Sequence, residues 1–181
     1  AYNAQHPHAQ AHLTEWRYDM IFDALRQGVL DFTFGNIFET PTDMRVWPMM
    51  QAPISVCVGQ GHPLACRKIV TFQDVEEERL LTFFPDSTKL NDTISKWFYR
   101  HQGTPNFVYY SQKEVVERLV EEGEGVTLLA HPIHSRNRRI IPVPLDEKIM
   151  VGYGLFCLKT MNLSDEMNVL VQYVNQAFRD L

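Results

Sequence analysis

The chain is 181 residues long, 45% hydrophobic and 22% charged, with a formal net charge of −5 at pH 7. This composition lies in the globular range, excludes disordered, collagen-like and low-complexity classes, and leaves room for one large domain or two small lobes with a real core. The negative balance argues against this segment gripping phosphates by itself, since clustered Lys and Arg drive nucleic-acid binding, so any DNA contact must come from elsewhere.

AHLTE reads as a first strand, ending at Thr14 and Glu15. Between Trp16 and Gln27 apolar Met20, Ile21, Ala24 and Leu25 recur at helical spacing, and Gly28 stands where a left-handed C-terminal cap belongs. Leu30, Phe32 and Phe34 then alternate toward Gly35-Asn36, a strand feeding a turn. PISVCVGQG, short and β-branched, is a further strand that leads into GHPLA. Thr71, with Asp74 three residues on, caps a short helix before the apolar strand LLTFF. After PDST, Leu90, Ile94, Trp97 and Phe98 mark a helix running to a terminal Gly103.

Strand FVYY is followed by Ser111-Gln112-Lys113-Glu114, which fits the reciprocal capping box. Val115, Val116, Leu119 and Val120 form one face of that helix, and Gly123 closes it. GVTLLA leads to His131-Pro132, and IMVGYGLFCLK reads as a long, largely buried strand. The last helix has Ser164 as its cap and Asp165 and Glu166 in its first turn. Met167, Leu170, Val171, Val174 and Phe178 lie along one side of it. Strands alternating with helices at this spacing predict right-handed βαβ units around mostly parallel sheets. With no flexible linker in the sequence, two lobes would have to be joined by strands that cross between them.

No nucleophile elbow, HExxH or P-loop is present, and GQG at 59–61 and GEG at 123–125 lack the third glycine of a phosphate loop and read as turns. His6, His8 and His12, or His131 and His134, have no acidic or thiolate residue at a useful spacing, so neither metal nor cofactor is expected. The arginine-rich run from His134 to Arg139 reads as a solvated surface turn. No acid–base constellation is legible, and the chain is expected not to be an enzyme. Cys57, Cys66 and Cys157 are odd in number and lack CxxC spacing, which predicts reduced thiols. No run approaches the length of a membrane span and no signal-peptide order opens the chain, so a cytoplasmic protein without a membrane partner is expected; a mature periplasmic protein would read the same way.

Four stretches, taken in order, resemble the effector-binding domain of LysR-type transcriptional regulators over nearly the whole chain. They are LRQGVLDFTFG at 25–35, GHPLA at 61–65 with its short helix and LLTF, VVERLVEEGEGVTLLA at 115–130, and IIPVPL at 140–145. The resemblance implies an α/β fold of the periplasmic-binding-protein type II kind, two Rossmann-like lobes joined by two crossover strands. Lobe I would comprise residues 1–60 and 147–181, and lobe II residues 61–146. It further implies a small anionic effector in the interlobe cleft, a homodimer or homotetramer, DNA bound through a winged helix-turn-helix absent from this chain, and RNA polymerase as a further partner. Family members usually open this domain with a strand and a longer helix ahead of the phrase that here reads YNAQHP, so a leading segment is expected to be missing. A periplasmic-type solute-binding protein of a transporter is the alternative on the same scaffold.

In open α/β sheets a ligand sits beyond the carboxyl ends of strands, where helix N-termini offer free N–H groups. The candidate site therefore includes Phe84, Pro85, Asp86, Ser87 and Thr88, with Ser87 and Thr88 as leading contacts, although Asp86 or Ser87 can equally serve as a helix cap. Asn36 offers an amide at the end of its strand, or is simply a turn residue. Ser111 follows FVYY; if its hydroxyl caps the helix, Gln112 and Tyr110 are the alternative contacts. His131, able to titrate near neutrality, and Pro132 follow GVTLLA, and Thr14 completes the set.

Overall fold

The structure is a computed structural model that describes residues 2–8, 10–16, 20–38, 40–83, 89–130 and 138–179. In chain order its elements are α1 (Tyr2–Gln5), α2 (Ile21–Arg26), β1 (Thr33–Asn36), β2 (Met44–Gly59), α3 (Phe72–Val75), β3 (Arg79–Thr82), α4 (Lys89–Arg100), β4 (Asn106–Tyr109), α5 (Lys113–Glu121), β5 (Thr127–Ala130), β6 (Ile140–Pro144), β7 (Met150–Leu158) and α6 (Asp165–Arg179). The chain divides into two compact units, residues 1–51 with 152–181, and residues 52–151. Both boundaries fall inside strands, β2 and β7.

In the first unit β1 pairs antiparallel with β7, Thr33 opposite Phe156 and Asn36 opposite Tyr153. Successive residues of a strand face opposite sides, so Phe156 and Leu155 serve different clusters. Phe156 packs with fully buried Leu25 and with Met44, while Leu155 packs with Met49 and Val171 of α6. On the Leu155 side Phe34 stacks on Phe178 with ring centroids 4.7 Å apart. Helix α2 stops as its glycine foretells: Gly28 has φ +68, its N–H donates to the Leu25 carbonyl at 3.0 Å, and the Val29 N–H donates to Ala24 at 2.9 Å.

In the second unit β2 pairs antiparallel with β5, Ile54 opposite Ala130, and with β6, Val56 opposite Val143. β3 and β4 pair in parallel, Leu80 opposite Phe107, with α4 as their crossover. On the other side of β3 a parallel bridge joins Leu80 to Val126, reached through α5. One core cluster holds Cys57, Leu81, Val116, Val120, Leu129 and Ile140. α4 buries Leu90, Ile94, Trp97 and Phe98, the four positions its spacing predicts.

Six expectations need correction. The parallel prediction holds where helices link β3, β4 and Val126, but β1–β7, β2–β5 and β2–β6 are antiparallel. Spacing informs direction only between strands joined by a helical crossover, and those partners are distant in the chain. AHLTE forms no strand: residues 10–16 are irregular and Leu13 is 97% exposed, because strand-like side chains make no strand without a ladder to join. The first predicted helix begins only at Ile21, and the strand around PISVCVGQG already begins at Met44.

The left-handed residue after α4 is Gln102, φ +63, rather than Gly103, whose N–H closes the cap on the Phe98 carbonyl at 3.0 Å. Finally, the capping box at Ser111 does not form. The N-cap of α5 is Gln112, without a side-chain cap, and Val115 is 38% exposed, outside the apolar face. The box predicted at Thr71 does form: the Asp74 carboxylate accepts the Thr71 N–H at 2.9 Å and its hydroxyl at 2.8 Å.

Candidate functional site

The carboxyl ends of the parallel pair meet in the second unit. The Tyr110 N–H donates to the Thr82 carbonyl at 2.9 Å, carrying the β3–β4 ladder one residue past β4, and α5 starts three residues later. Tyr110 packs against the core cluster that contains Val116 and Val120, which anchors the turn. Ser111 and Gln112 follow it, both exposed. Because Gln112 provides no side-chain cap, the amides of the first turn of α5 face no protein acceptor from that residue, and the helix end keeps its positive dipole character. Thr82, buried and polar at the end of β3, belongs to the same edge. Sequence reasoning passed over it, although a hydroxyl closing the apolar run LLT is a readable signal.

In the first unit Asn36 ends β1, half-buried and opposite Tyr153, and the next N–H, of Ile37, donates to the Gly152 carbonyl at 2.7 Å. Burial lifts the Tyr153 phenol to about 12, so the hydroxyl beside this strand end stays protonated. Thr14 is exposed, and its hydroxyl oxygen accepts the Trp16 indole N–H at 3.0 Å. Thr14 and Asn36 thus belong to one unit, and Ser111 and Gln112 to the other. Phe84, Pro85, Asp86, Ser87, Thr88, His131 and Pro132 lie outside the described residues.

Charge decides against one other concavity. A groove of about 440 Å³ along α5 is lined by Glu114, Glu117, Arg118, Glu121, Glu122 and Arg139. Its arginines are already paired, Arg118 with Glu122 at 2.9 Å and Arg139 with Glu121 at 2.5 Å, so the surplus carboxylates repel an anion. Among the described residues no group of three or more His, Cys, Asp or Glu is placed to hold a metal ion. Burial pushes the Cys57 thiol up to about 12, which removes it as a nucleophile. Among the described residues no helix is long and apolar enough to cross a membrane.

A family model described as the LysR substrate binding domain matches residues 1–179. No curated protein matches the sequence. Among solved structures, the chain is similar to HinK, a LysR family transcriptional regulator from Pseudomonas aeruginosa, with a TM-score of 0.85 at 19% identity over 98% of this chain and 63% of that one. It is also similar to the effector binding domain of QuiR in complex with shikimate, with a TM-score of 0.81 at 17% identity over 99% and 87% of the two chains. The BenM effector binding domain with its effector benzoate gives a TM-score of 0.79 at 22% identity over 99% and 83%. The chain therefore spans less than two thirds of the HinK chain it matches, and these likenesses are of fold.

Proposed function

The chain belongs to the LysR substrate-binding domain family and has its type II periplasmic-binding-protein-like α/β fold, and from that premise we propose that it is the effector-sensing part of a transcription regulator. The effector is a small anion, a carboxylate held by helix amides and neutral polar side chains rather than by a charged clamp. The observation that carries this reading is the paired carboxyl edge of β3 and β4, where Tyr110 donates to Thr82 and the uncapped start of α5 follows. Ser111 and Gln112 are its proposed contacts, joined by Asn36 and Thr14 and by Phe84–Thr88 and His131-Pro132, which stand in sequence after β3 and β5. That QuiR was solved with shikimate and BenM with benzoate, both carboxylates, supports the class of ligand.

The two units correspond in this reading to the two regulatory subdomains. DNA contact belongs to a separate domain of the whole regulator, consistent with the net charge of −5 here. The regulator works in the cytoplasm as a homodimer or homotetramer, with RNA polymerase as a further partner, and this domain catalyses nothing. Family membership favours this reading over a transporter's solute-binding protein.

Thermal unfolding with a panel of small carboxylates tests it. A cognate ligand at about 100 times its Kd stabilises the chain by about 2.7 kcal/mol. Gln112→Ala and Ser111→Ala are expected to shrink that shift while leaving the ligand-free midpoint in place. A panel of aromatic, alicyclic and aliphatic carboxylates that leaves the midpoint unmoved throughout refutes the proposal.

A further inference from the structure

Residues 146–149 lie outside any strand and lead directly into β7, one of the two strands in which a unit boundary falls. Three donors, two from the end of α4 and one from the residue after it, converge there on one carboxylate. Trp97 and Arg100 stand at i and i+3 on one side of the helix, and His101 is the first residue of the turn that follows it. Trp97 Nε1 donates to Glu147 Oε2 at 3.0 Å, His101 Nε2 lies 3.2 Å from the same oxygen, and Arg100 Nη2 lies 2.5 Å from Oε1. Trp97 is fully buried, so its indole N–H requires an acceptor within the protein, and Glu147 is that acceptor. His101 lies flat against the Phe72 ring of α3, with centroids 4.7 Å and planes 13° apart, so it is aimed at Glu147 by packing.

The backbone around Glu147 is built on the same point. Its own N–H donates to Asp146 Oδ1 at 2.8 Å, the Asp146 N–H donates to the Val70 carbonyl at 2.9 Å, and Ile149 accepts the Ile54 N–H at 2.8 Å. Between the last two bonds, a stretch without ladder pairing depends on a side chain for its position.

We propose that Glu147 is a latch: its carboxylate, gripped by the last turn of α4, fixes the run-in to β7. It is a positioning residue, and the stiffness with which the chain leaves the second unit at this strand is set by one side chain rather than by sheet pairing. Burial raises the Glu147 carboxyl, but the His101 hydrogen bond, the Arg100 charge and the Trp97 hydrogen bond outweigh it and leave the group ionised below its usual range. The charged and titratable groups around it are Arg100 of α4, His101 just after it and, in its own segment, Asp146 and Lys148; α3 contributes the uncharged Phe72 ring. The latch needs no ligand, so its failure and that of the effector reading are separate results.

Amide hydrogen exchange on the whole 181-residue chain tests it. Glu147→Gln keeps the shape and removes the charge, and Trp97→Phe keeps a buried ring and removes the N–H. Each is expected to speed exchange at residues 147–150 about tenfold while Ser55–Cys57 of β2 keep their rates. The double variant is expected to fall short of the sum of the two singles, because both act on the same side chain at position 147. Should Trp97→Phe fold poorly, Arg100→Gln at the exposed side replaces it in the cycle. Unchanged rates at 147–150 in Glu147→Gln, acceleration spread equally into β2, or additive effects in the double variant overturn the latch.

Discussion

Gly103 lies so close to Phe72 that a β-carbon at position 103 would overlap the edge of the ring. The ring has nowhere to retreat: it meets Trp97 edge-on at 5.6 Å and Phe98 at 5.2 Å, and His101 covers its face. Gly103→Ala is therefore expected to destabilise the chain by about 1–3 kcal/mol, the usual range for overpacking. Urea unfolding of that variant, alone and with Phe72→Leu, checks the cause, since the shorter side chain should recover part of the loss.

The neighbouring position calls for the opposite change. Gln102 holds φ +63 to close the end of α4, a conformation that costs a residue with a β-carbon roughly 1 kcal/mol. Gln102→Gly relieves that strain and is expected to raise the thermal midpoint by roughly 2–4 °C. A lower midpoint would mean that the Gln102 side chain contributes more than its backbone strain removes.

Acid sensitivity is expected to run through Asp74. The Thr71 N–H and hydroxyl hold its carboxyl below the usual carboxylate range, against the raising effect of burial, and Arg67 adds a smaller pull. A carboxyl lower in the folded than in the unfolded state adds stability above its unfolded value, near pH 4, and loses it as the pH falls through the folded one. Asp74→Asn should thus be less stable than the parent at pH 7 and approach it near pH 2. Thermal midpoints recorded between those limits give the comparison.

The thiols separate by exposure. Cys57 and Cys157 are buried, and burial raises both thiols, whereas Cys66 is exposed. An aromatic disulfide reagent is expected to titrate one thiol per native chain and three after denaturation. Cys66→Ser should abolish the native reaction without altering the fold.

Local signals proved readable where the physics is local. Gly28 and Gly123 both take positive φ at helix ends, Ser164 accepts the Met167 N–H at 3.3 Å, and Thr71 pairs with Asp74, each decided by residues within a turn of one another. The apolar period of α4 gave its buried face correctly for the same reason. Ser111 shows the limit of that reasoning. It matches the capping pattern, yet the ladder bond from Tyr110 to Thr82 fixes the chain so that Gln112 becomes the cap, and nothing within four residues announces it. Strand direction was hidden likewise, because β1 and β7 carry no mark of each other in sequence. Strand ends alone placed the β4–α5 junction, and Thr82 was passed over although its hydroxyl closes the apolar run LLT, because its burial at the end of β3 shows only in the fold.

The register between Asn36 and Tyr153 has a consequence for the living chain. A ribosome finishes β1 more than a hundred residues before it makes the strand that completes it, an interval of roughly 6–24 s at ordinary elongation rates. The middle portion, residues 52–151, is one uninterrupted stretch and is synthesised within that interval. What is made first is therefore assembled last, and the early apolar segment around Phe32 and Phe34 must be kept from other company until Leu155 arrives.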